Sequence, residues 1–333
     1  MPELDYLNGY RSSGEWENEL TRKGFAEALV ELGEENPKVV VLDADLAVST
    51  YTKFFRDKFP ERFFECGISE QDMMNTAAGL SKMGFIPFLS SYSIFLSGRA
   101  WDMMRNTVDY SYCNVKITAA HGGISVGKDG PTHQSMEDVS NTQPLVNMAL
   151  FLPSDYWEAR KVTKFLAGHP GPCYSRLGRE KVPTISSEDT PWEFAKAATV
   201  LEGTDGTIIS NGLMLSRAMM AAEQLAGEGI FPRVLSVTTI KPLDQEAVIK
   251  AAAETGGIVI AEECSIFGGL GSTVARMIGE SEHLVPIRCV AIREMYLSSG
   301  DPYELMDLAG LNVEGVVDAV HDVLKRGKRK LQA

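Results

Sequence analysis

The sequence predicts an α/β protein built from two doubly wound domains. Short apolar runs alternate with amphipathic stretches along most of the chain, the order that yields parallel sheets covered by helices on both faces. The alternation breaks once, over 178–195, where Pro183, Pro191, Ser186, Ser187 and several charges mark a connection. The 333 residues suffice for two sizeable cores at roughly 150 residues per domain. The predicted division is a first domain over 18–180, a linker over 181–195 and a smaller second domain over 196–330.

Residues 1–17 are polar, lack periodicity and read as an arm. Phe25, Leu29 and Leu32 recur at i, i+4 and i+7 with charges between them, which predicts a helix over 18–33. The run 39–42 is a buried strand ending in Asp43-Ala-Asp45, with Ser49 and Thr50 in the following loop. Another strand is expected over 64–68. Ser69-Glu70-Gln71-Asp72 opens a helix that carries Met73, Ala77 and Leu80 on one face and stops at Gly84. A strand over 86–90, a helix over 93–109 and a strand over 115–120 follow.

The strand over 115–120 delivers the stretch His121-Gly-Gly-Ile-Ser-Val-Gly-Lys-Asp-Gly-Pro-Thr-His133-Gln134. Its glycines and proline forbid a simple helix or strand. Two of the chain's five histidines lie here, at the carboxyl end of a strand, where α/β proteins usually bind ligands. Next come a strand over 148–152, a helix over 155–166 capped by Ser154, and a strand over 173–175 running into Arg176. In the second domain, strands are predicted over 207–210, 234–237 and 258–261. Helices are predicted over 214–226 and 244–254, from Ser272 onward, and near 313–325.

Composition narrows the function. With 44% hydrophobic and 23% charged residues the chain is ordinary globular protein. A net charge of −13 argues against a nucleic-acid partner, and the basic cluster Lys325-Arg326-Gly-Lys328-Arg329-Lys330 reads as a solvated tail. The five cysteines are dispersed and mostly in apolar runs, as expected for reduced, buried thiols. The polar N-terminus does not read as a signal peptide, and no apolar run approaches ~18 residues, so a cytoplasmic protein without a membrane partner is expected. No Walker A, GxSxG or HExxH motif is present, and no metal ligands of the chain's own are expected. Gly268-Gly-Leu-Gly271 is not GxGxxG, and close helix–strand packing explains it.

Several residues have both a structural and a chemical reading. Glu70 at a helix start suits the helix dipole; a buried acid there could equally hydrogen-bond a ligand heterocycle. Tyr92 and Phe95, three apart, are either core aromatics or a stacking surface for a planar ring. Arg22, Ser49, His121 and Arg176 lie near the ends of predicted elements. Gathered at one sheet edge they would make an anion site, because guanidinium forks match phosphate geometry and hydroxyl and imidazole groups add donors.

With these residues assembled, the chain resembles the C-terminal part of transketolase, its pyrimidine-binding domain followed by its C-terminal domain, from Thr21 to near residue 320. The resemblance is specific at Gly67-Ile-Ser-Glu70-Gln, over Thr118–Gln134 and at Ser175-Arg176. Ile240-Lys-Pro-Leu-Asp244 and Glu262-Glu263 with Gly268-Gly269 match a C-terminal domain shared with 2-oxoacid dehydrogenase β subunits. The run Asp129-Gly-Pro-Thr-His-Gln134 favours transketolase. Transketolases hold the diphosphate of thiamine diphosphate through Mg²⁺ (or Ca²⁺) and a Gly-Asp-Gly…Asn motif in an N-terminal domain, and this sequence has no Gly-Asp-Gly. The resemblance therefore implies the second subunit of a split transketolase, with the metal site on a partner N-terminal subunit and a dimer of this chain inside an α2β2 heterotetramer.

The resemblance also implies roles. Glu70 matches the glutamate that hydrogen-bonds N1′ of the cofactor's aminopyrimidine and so activates it; a carboxyl group held out of water can share a proton with a weakly basic ring nitrogen. Tyr92 and Phe95 match the aromatics that pack on the pyrimidine. His133 matches a histidine near the donor's hydroxyls, and Asp129 the aspartate that reads the acceptor's 2-hydroxyl. Arg22, Ser49, His121 and Arg176 match the set that binds the sugar's phosphate. Two departures stand out: Lys128 replaces an acid common in the family, and Ile94-Phe-Leu-Ser-Gly-Arg99 lacks an aromatic of the single-chain enzymes, for which Trp101 is the nearest substitute. The expected activity is transfer of a two-carbon ketol unit from a ketose phosphate to an aldose phosphate. The alternatives are a 1-deoxyxylulose-phosphate synthase-like or dehydrogenase β-like subunit, a transketolase for a branched or sulfonated sugar, and a non-catalytic subunit. Retention of Glu70 and His133 argues against the last.

Overall fold

A computed structural model describes residues 4–331. In chain order the strands are β1 (Asn18–Glu19), β2 (Val39–Asp43), β3 (Phe63–Glu65), β4 (Ile86–Tyr92), β5 (Lys116–Ala120), β6 (Ala149–Phe151), β7 (Cys173–Arg176), β8 (Val182–Pro183), β9 (Ala198–Leu201), β10 (Thr207–Ser210), β11 (Arg233–Ser236), β12 (Thr239–Lys241), β13 (Ile258–Ser265) and β14 (Ile287–Ile292). The helices used below are α1 (Thr21–Glu35), α2 (Glu70–Lys82), α3 (Tyr156–Gly168), α4 (Met214–Gly227), α5 (Gln245–Glu254), α6 (Leu270–Gly279) and α7 (Val313–Leu331).

The first sheet runs β12-β6-β7-β5-β4-β2-β3, parallel except for β12. Alternate residues of its strands face opposite layers. Val39, Val41 and Phe88 pack with Phe25 and Leu29 of α1 and Val162 of α3, while Leu42 and Leu89 pack with Met73 and Ala77 of α2. The second sheet runs β14-β13-β10-β11-β9, parallel except for β9. There Ile208 and Val259 face α4 and α7, and Ile209 and Ile260 face α5 and α6. Both domains are doubly wound, as predicted. One apolar cluster nevertheless runs continuously from Leu89 and Ile117 through Val237 and Ile240 to Ile260 and Val274, so the two domains share a core.

Several local expectations are corrected. Residues 4–17 lie on the second domain: Tyr10 is buried, Leu7 N–H donates to the Val200 carbonyl, and the Tyr6 and Ser13 hydroxyls both donate to Glu223. The stretch predicted as the linker packs on the first domain, with β8 pairing to β1, Ser186 bound to Asp155, and Phe194 stacked on Phe165. Ser49 sits in a helical turn, Ala47–Thr50, and Tyr92 is the last residue of β4. The stretch 95–109 is helical but mostly in wide π turns, around a short α segment at Trp101–Met103. The cap of α3 is Asp155, whose carboxylate accepts the Glu158 N–H at 2.9 Å, and not Ser154. The basic cluster near the C-terminus continues the backbone of α7. The antiparallel edges β9 and β12, the strand β14 and a helix at Pro302–Leu308 are not among the elements the sequence predicts.

Candidate active site

β2 and β4 are neighbours whose outgoing chains leave in opposite directions, β2 toward β3 and β4 toward β5. A crevice outside the carboxyl ends of such strands is the usual ligand position in an open α/β sheet. The predicted residues come from the connections at this edge.

Glu70 is the first residue of α2 and is 1% exposed. Its carboxylate accepts from Arg99 Nη1 at 3.0 Å. The Arg99 side chain is 50% exposed and lies 4.7 Å over the Phe95 ring. Phe95 stacks on Tyr92, with 5.9 Å between ring centres. Tyr92 in turn stacks on His121 at 4.0 Å, and His133 meets Phe95 edge-on at 5.3 Å. Thus the loop after β5 folds back over the end of β4 and gathers two aromatic rings and two imidazoles into one cluster. The fold-back is closed by Gly123 N–H donating to the Ser135 carbonyl at 2.9 Å. His121 itself adopts φ +58°, a left-handed conformation uncommon for a non-glycine residue and often found at functional sites.

His121 is 3% exposed, and its Nδ1 is buried without a partner. Burial above all, and then the positive fields of Arg22, Arg179 and His133, push its pKa down to about 2, so it stays neutral. Arg22, 7% exposed on the first turn of α1, donates Nη1 to the Ser49 carbonyl and Nη2 to the Arg179 carbonyl at 2.5 Å. Its Nε is buried and unpartnered. Asp129 accepts from Arg179 Nη1 at 3.0 Å.

Arg176 does not join this group. Its side chain passes against Gly122, where a Cβ would come within 2.1 Å of Nε, and ends in the second domain. There it donates Nη2 to the Glu263 carbonyl at 2.8 Å and Nη1 to Cys264 Sγ at 3.0 Å, and lies 3.5 Å from Asp138. Burial alone would lower its pKa; Asp138, Cys264 and Glu263 more than offset that and hold it charged. The adjoining cavity, about 30 Å³ and lined by Arg176, Glu263, Asn211 and Ser154, is water-sized and lies at the domain junction, away from Glu70.

The structure therefore links Tyr92, Phe95, His121 and His133 through their rings, Arg22 to Ser49 through a hydrogen bond, and Glu70 and Asp129 to the group through Arg99 and Arg179. Sequence reading missed three features: the pairing of Arg99 with Glu70, Arg179, and the partners of Arg176. Arg179 had a signal, a second arginine in the same post-strand stretch. The others depend on long-range contacts.

Two family models match, the transketolase pyrimidine-binding domain over residues 19–184 and the transketolase C-terminal domain over 195–316. The chain belongs to the transketolase family. Among its relatives, a protein named putative transketolase C-terminal section from Methanocaldococcus jannaschii is 39% identical, over 92% of this chain and 96% of that one. The 6-deoxy-6-sulfo-D-fructose transketolase subunit SqwH of Clostridium sp. is 38% identical, over 93% and 96%. A solved structure described as a split gene transketolase, inactive beta4 tetramer, superposes with a TM-score of 0.84 at 43% identity, covering 92% of this chain and 98% of that one. This transketolase-family subunit thus corresponds to the C-terminal portion of proteins divided between two genes. The Campylobacter jejuni transketolase, at 21% identity and TM-score 0.79, shares its fold, and the chain spans 47% of that longer one.

Proposed function

We propose that the chain is the pyrimidine-binding subunit of a thiamine-diphosphate-dependent transketolase. It would move a two-carbon ketol unit from a ketose phosphate to an aldose phosphate, in an α2β2 assembly with an N-terminal subunit that binds the diphosphate and Mg²⁺ (or Ca²⁺). The observation that carries this reading is the buried Glu70 carboxylate beside the Tyr92–Phe95 ring face. A heterocycle stacked there would place a ring nitrogen within reach of an acid shielded from water.

The residues fit the aminopyrimidine: flat apolar rings, a buried acid with one side-chain partner, and an unpartnered imidazole nitrogen beside them. When bound, thiamine diphosphate supplies the nucleophilic carbon and electron sink for the transferred unit. The chain's own part is positioning. Glu70 would hold a proton at the ring nitrogen, with Arg99 swung aside or retained on the outer oxygen. His133, half-buried with Nδ1 2.9 Å from Thr132 Oγ1, would face the sugar hydroxyls, and Asp129 the acceptor's 2-hydroxyl. Arg22, Ser49 and His121 would line the end of the pocket that takes the sugar's anionic group.

A sulfonated or branched sugar is the second reading, and similarity to a 6-deoxy-6-sulfo-D-fructose transketolase subunit and to an apulose-4-phosphate transketolase subunit favours it. The deciding assay measures two-carbon transfer from xylulose 5-phosphate to ribose 5-phosphate, with thiamine diphosphate and Mg²⁺. It is run on the chain alone and with an N-terminal transketolase subunit added. Activity only in the mixture is expected. Activity of the chain alone overturns the split-site reading, and a silent mixture that binds cofactor moves the assignment to another sugar.

A further inference from the structure

Resting on the transketolase reading above, we infer that Ser299 and Gln134 are positioning residues, through which the second domain holds the backbone on either side of Asp129 and beside His133. The loop that carries those two residues needs such a support. Between His121 and Gln134 it contains Gly122, Gly123, Gly127 and Gly130, three of them at positive φ. Glycine-rich backbone has the most freedom to lose when it is ordered. The loop's own bonds fold it on itself: Gly127 N–H to the Ile124 carbonyl, Gly130 N–H to Gly127, and the His133 and Gln134 N–H groups both to Gly130.

The second domain meets this loop at successive points. Near its ends, Ser125 N–H donates to Glu263 Oε1 at 2.6 Å, and Ser265 N–H donates to the Met136 carbonyl at 2.8 Å. Between them, Ser299 Oγ donates to the Lys128 carbonyl at 2.5 Å, and Gln134 Nε2 donates to the Ser298 carbonyl at 3.1 Å. The backbones also approach closely. A Cβ at Gly127 would lie 2.7 Å from Pro302 Cγ, and one at Gly130 would lie 3.4 Å from Ser299 Cβ. Lys128 and Gly130 are the two neighbours of Asp129, and Gln134 follows His133. Arg179 holds the Asp129 carboxylate from the first domain, while Ser299 holds the backbone beside it.

The support is itself fixed. Leu297 packs against the core of the second domain. Asp301 caps the helix Pro302–Leu308, accepting Tyr303 N–H at 2.9 Å and Glu304 N–H at 3.2 Å, and Leu305 and Met306 of that helix are buried. Tyr303 Oη reaches back to the Lys181 carbonyl at 2.8 Å. Gln134 is 2% exposed and its Oε1 has no partner, so its side chain is committed to the one bond to Ser298. The Lys128 side chain is exposed, and the support grips its backbone instead. Reacting groups must be held to within about 0.5 Å, and a displacement of about 1 Å can cost about 10²-fold in rate. A bond outside the site can therefore matter to turnover while adding little to stability.

The test is hydrogen–deuterium exchange of the full chain, comparing wild type with Ser299→Ala, Ser299→Thr and Gln134→Met after thermal melts. Melting temperatures should fall by about 2 °C or less, since each variant loses one hydrogen bond. The Gly123, His133 and Gln134 amides should exchange about tenfold faster in Ser299→Ala and Gln134→Met. Ser299→Thr keeps the hydroxyl and should exchange as wild type does. In the assembly with an N-terminal transketolase subunit, Ser299→Ala should raise KM for ribose 5-phosphate about fivefold, because Asp129 faces the acceptor. Gln134→Met should raise KM for xylulose 5-phosphate by a similar factor, because His133 faces the donor. Wild-type exchange at these amides in both folded variants overturns the inference. So does exchange that rises evenly through the second domain, which would make the contacts structural only, and so does faster loop exchange with both KM values unchanged. A wild-type assembly without two-carbon transfer would refute the transketolase reading, and faster loop exchange in the variants would then still establish the second domain's hold on the loop.

Discussion

Glu70 and His121 show how single side chains are set by what surrounds them. Glu70 is almost wholly buried and paired to a half-exposed arginine, so the pairing is partly screened and adds modest stability. Its removal should therefore be tolerated by the fold but not by the chemistry. Glu70→Ala in the assembled enzyme is expected to cost about 10²–10⁴-fold in kcat with an unchanged circular dichroism spectrum; near wild-type turnover would refute the assigned role. His121 yields a pH prediction. Its folded pKa, about 2, lies below an ordinary unfolded value near 6.5. Below the unfolded value the unfolded chain takes up a proton that the folded chain refuses, so stability is full above pH ~6.5 and falls as acid is added. The loss from this residue should reach about 2 kcal/mol by pH 5. Urea denaturation across pH 5–7 should show a flatter profile for His121→Asn than for wild type.

At the scale of elements, the site depends on how closely helices α1 and α3 approach. Gly24 faces the backbone of Tyr156, and a Cβ there would lie 2.3 Å from the Tyr156 carbonyl oxygen. Gly24→Ala must push the helices apart, at about 1–3 kcal/mol, and would shift Arg22 two residues away. Gly79 in α2 is the natural control, since nothing lies within 4 Å of its missing Cβ. Gly79→Ala should stabilise by up to about 1 kcal/mol through helix propensity. Denaturant midpoints of the two variants should move in opposite directions. The same scale shows why the sequence pattern located α1, β2, α2, β4 and β5 well: each has an apolar face repeated over several turns or residues. The π turns of 95–109 escaped it because their side chains keep an α-like pattern while the backbone hydrogen bonds lengthen.

For the molecule as a whole, the shared apolar cluster and the Arg176 network join the two domains. Burial raises the Glu263 carboxyl, offset only in part by Arg176, yet its carboxylate also accepts Ser125 N–H at 2.6 Å. Glu263→Ala would strip a buried guanidinium of one of its acids, with Asp138 remaining. The expected cost is about 3 kcal/mol, seen as a lower melting temperature. Wild type is expected to melt in a single calorimetric transition; two separated transitions would show that the continuous core does not couple the domains.

The sequence by itself determined the doubly wound α/β class, the loop that carries His121 and His133, and the family resemblance, because those rest on local periodicity and on motifs that read in one direction along the chain. Only the tertiary structure decided where the charged side chains end. Arg176 bonds to Glu263, 87 residues away, and Arg99 to Glu70, 29 residues away. A long, flexible side chain goes to whichever buried partner the fold brings near, and desolvation makes an unpaired choice costly. No local pattern records that choice, so two arginines three residues apart in the sequence are turned to different domains.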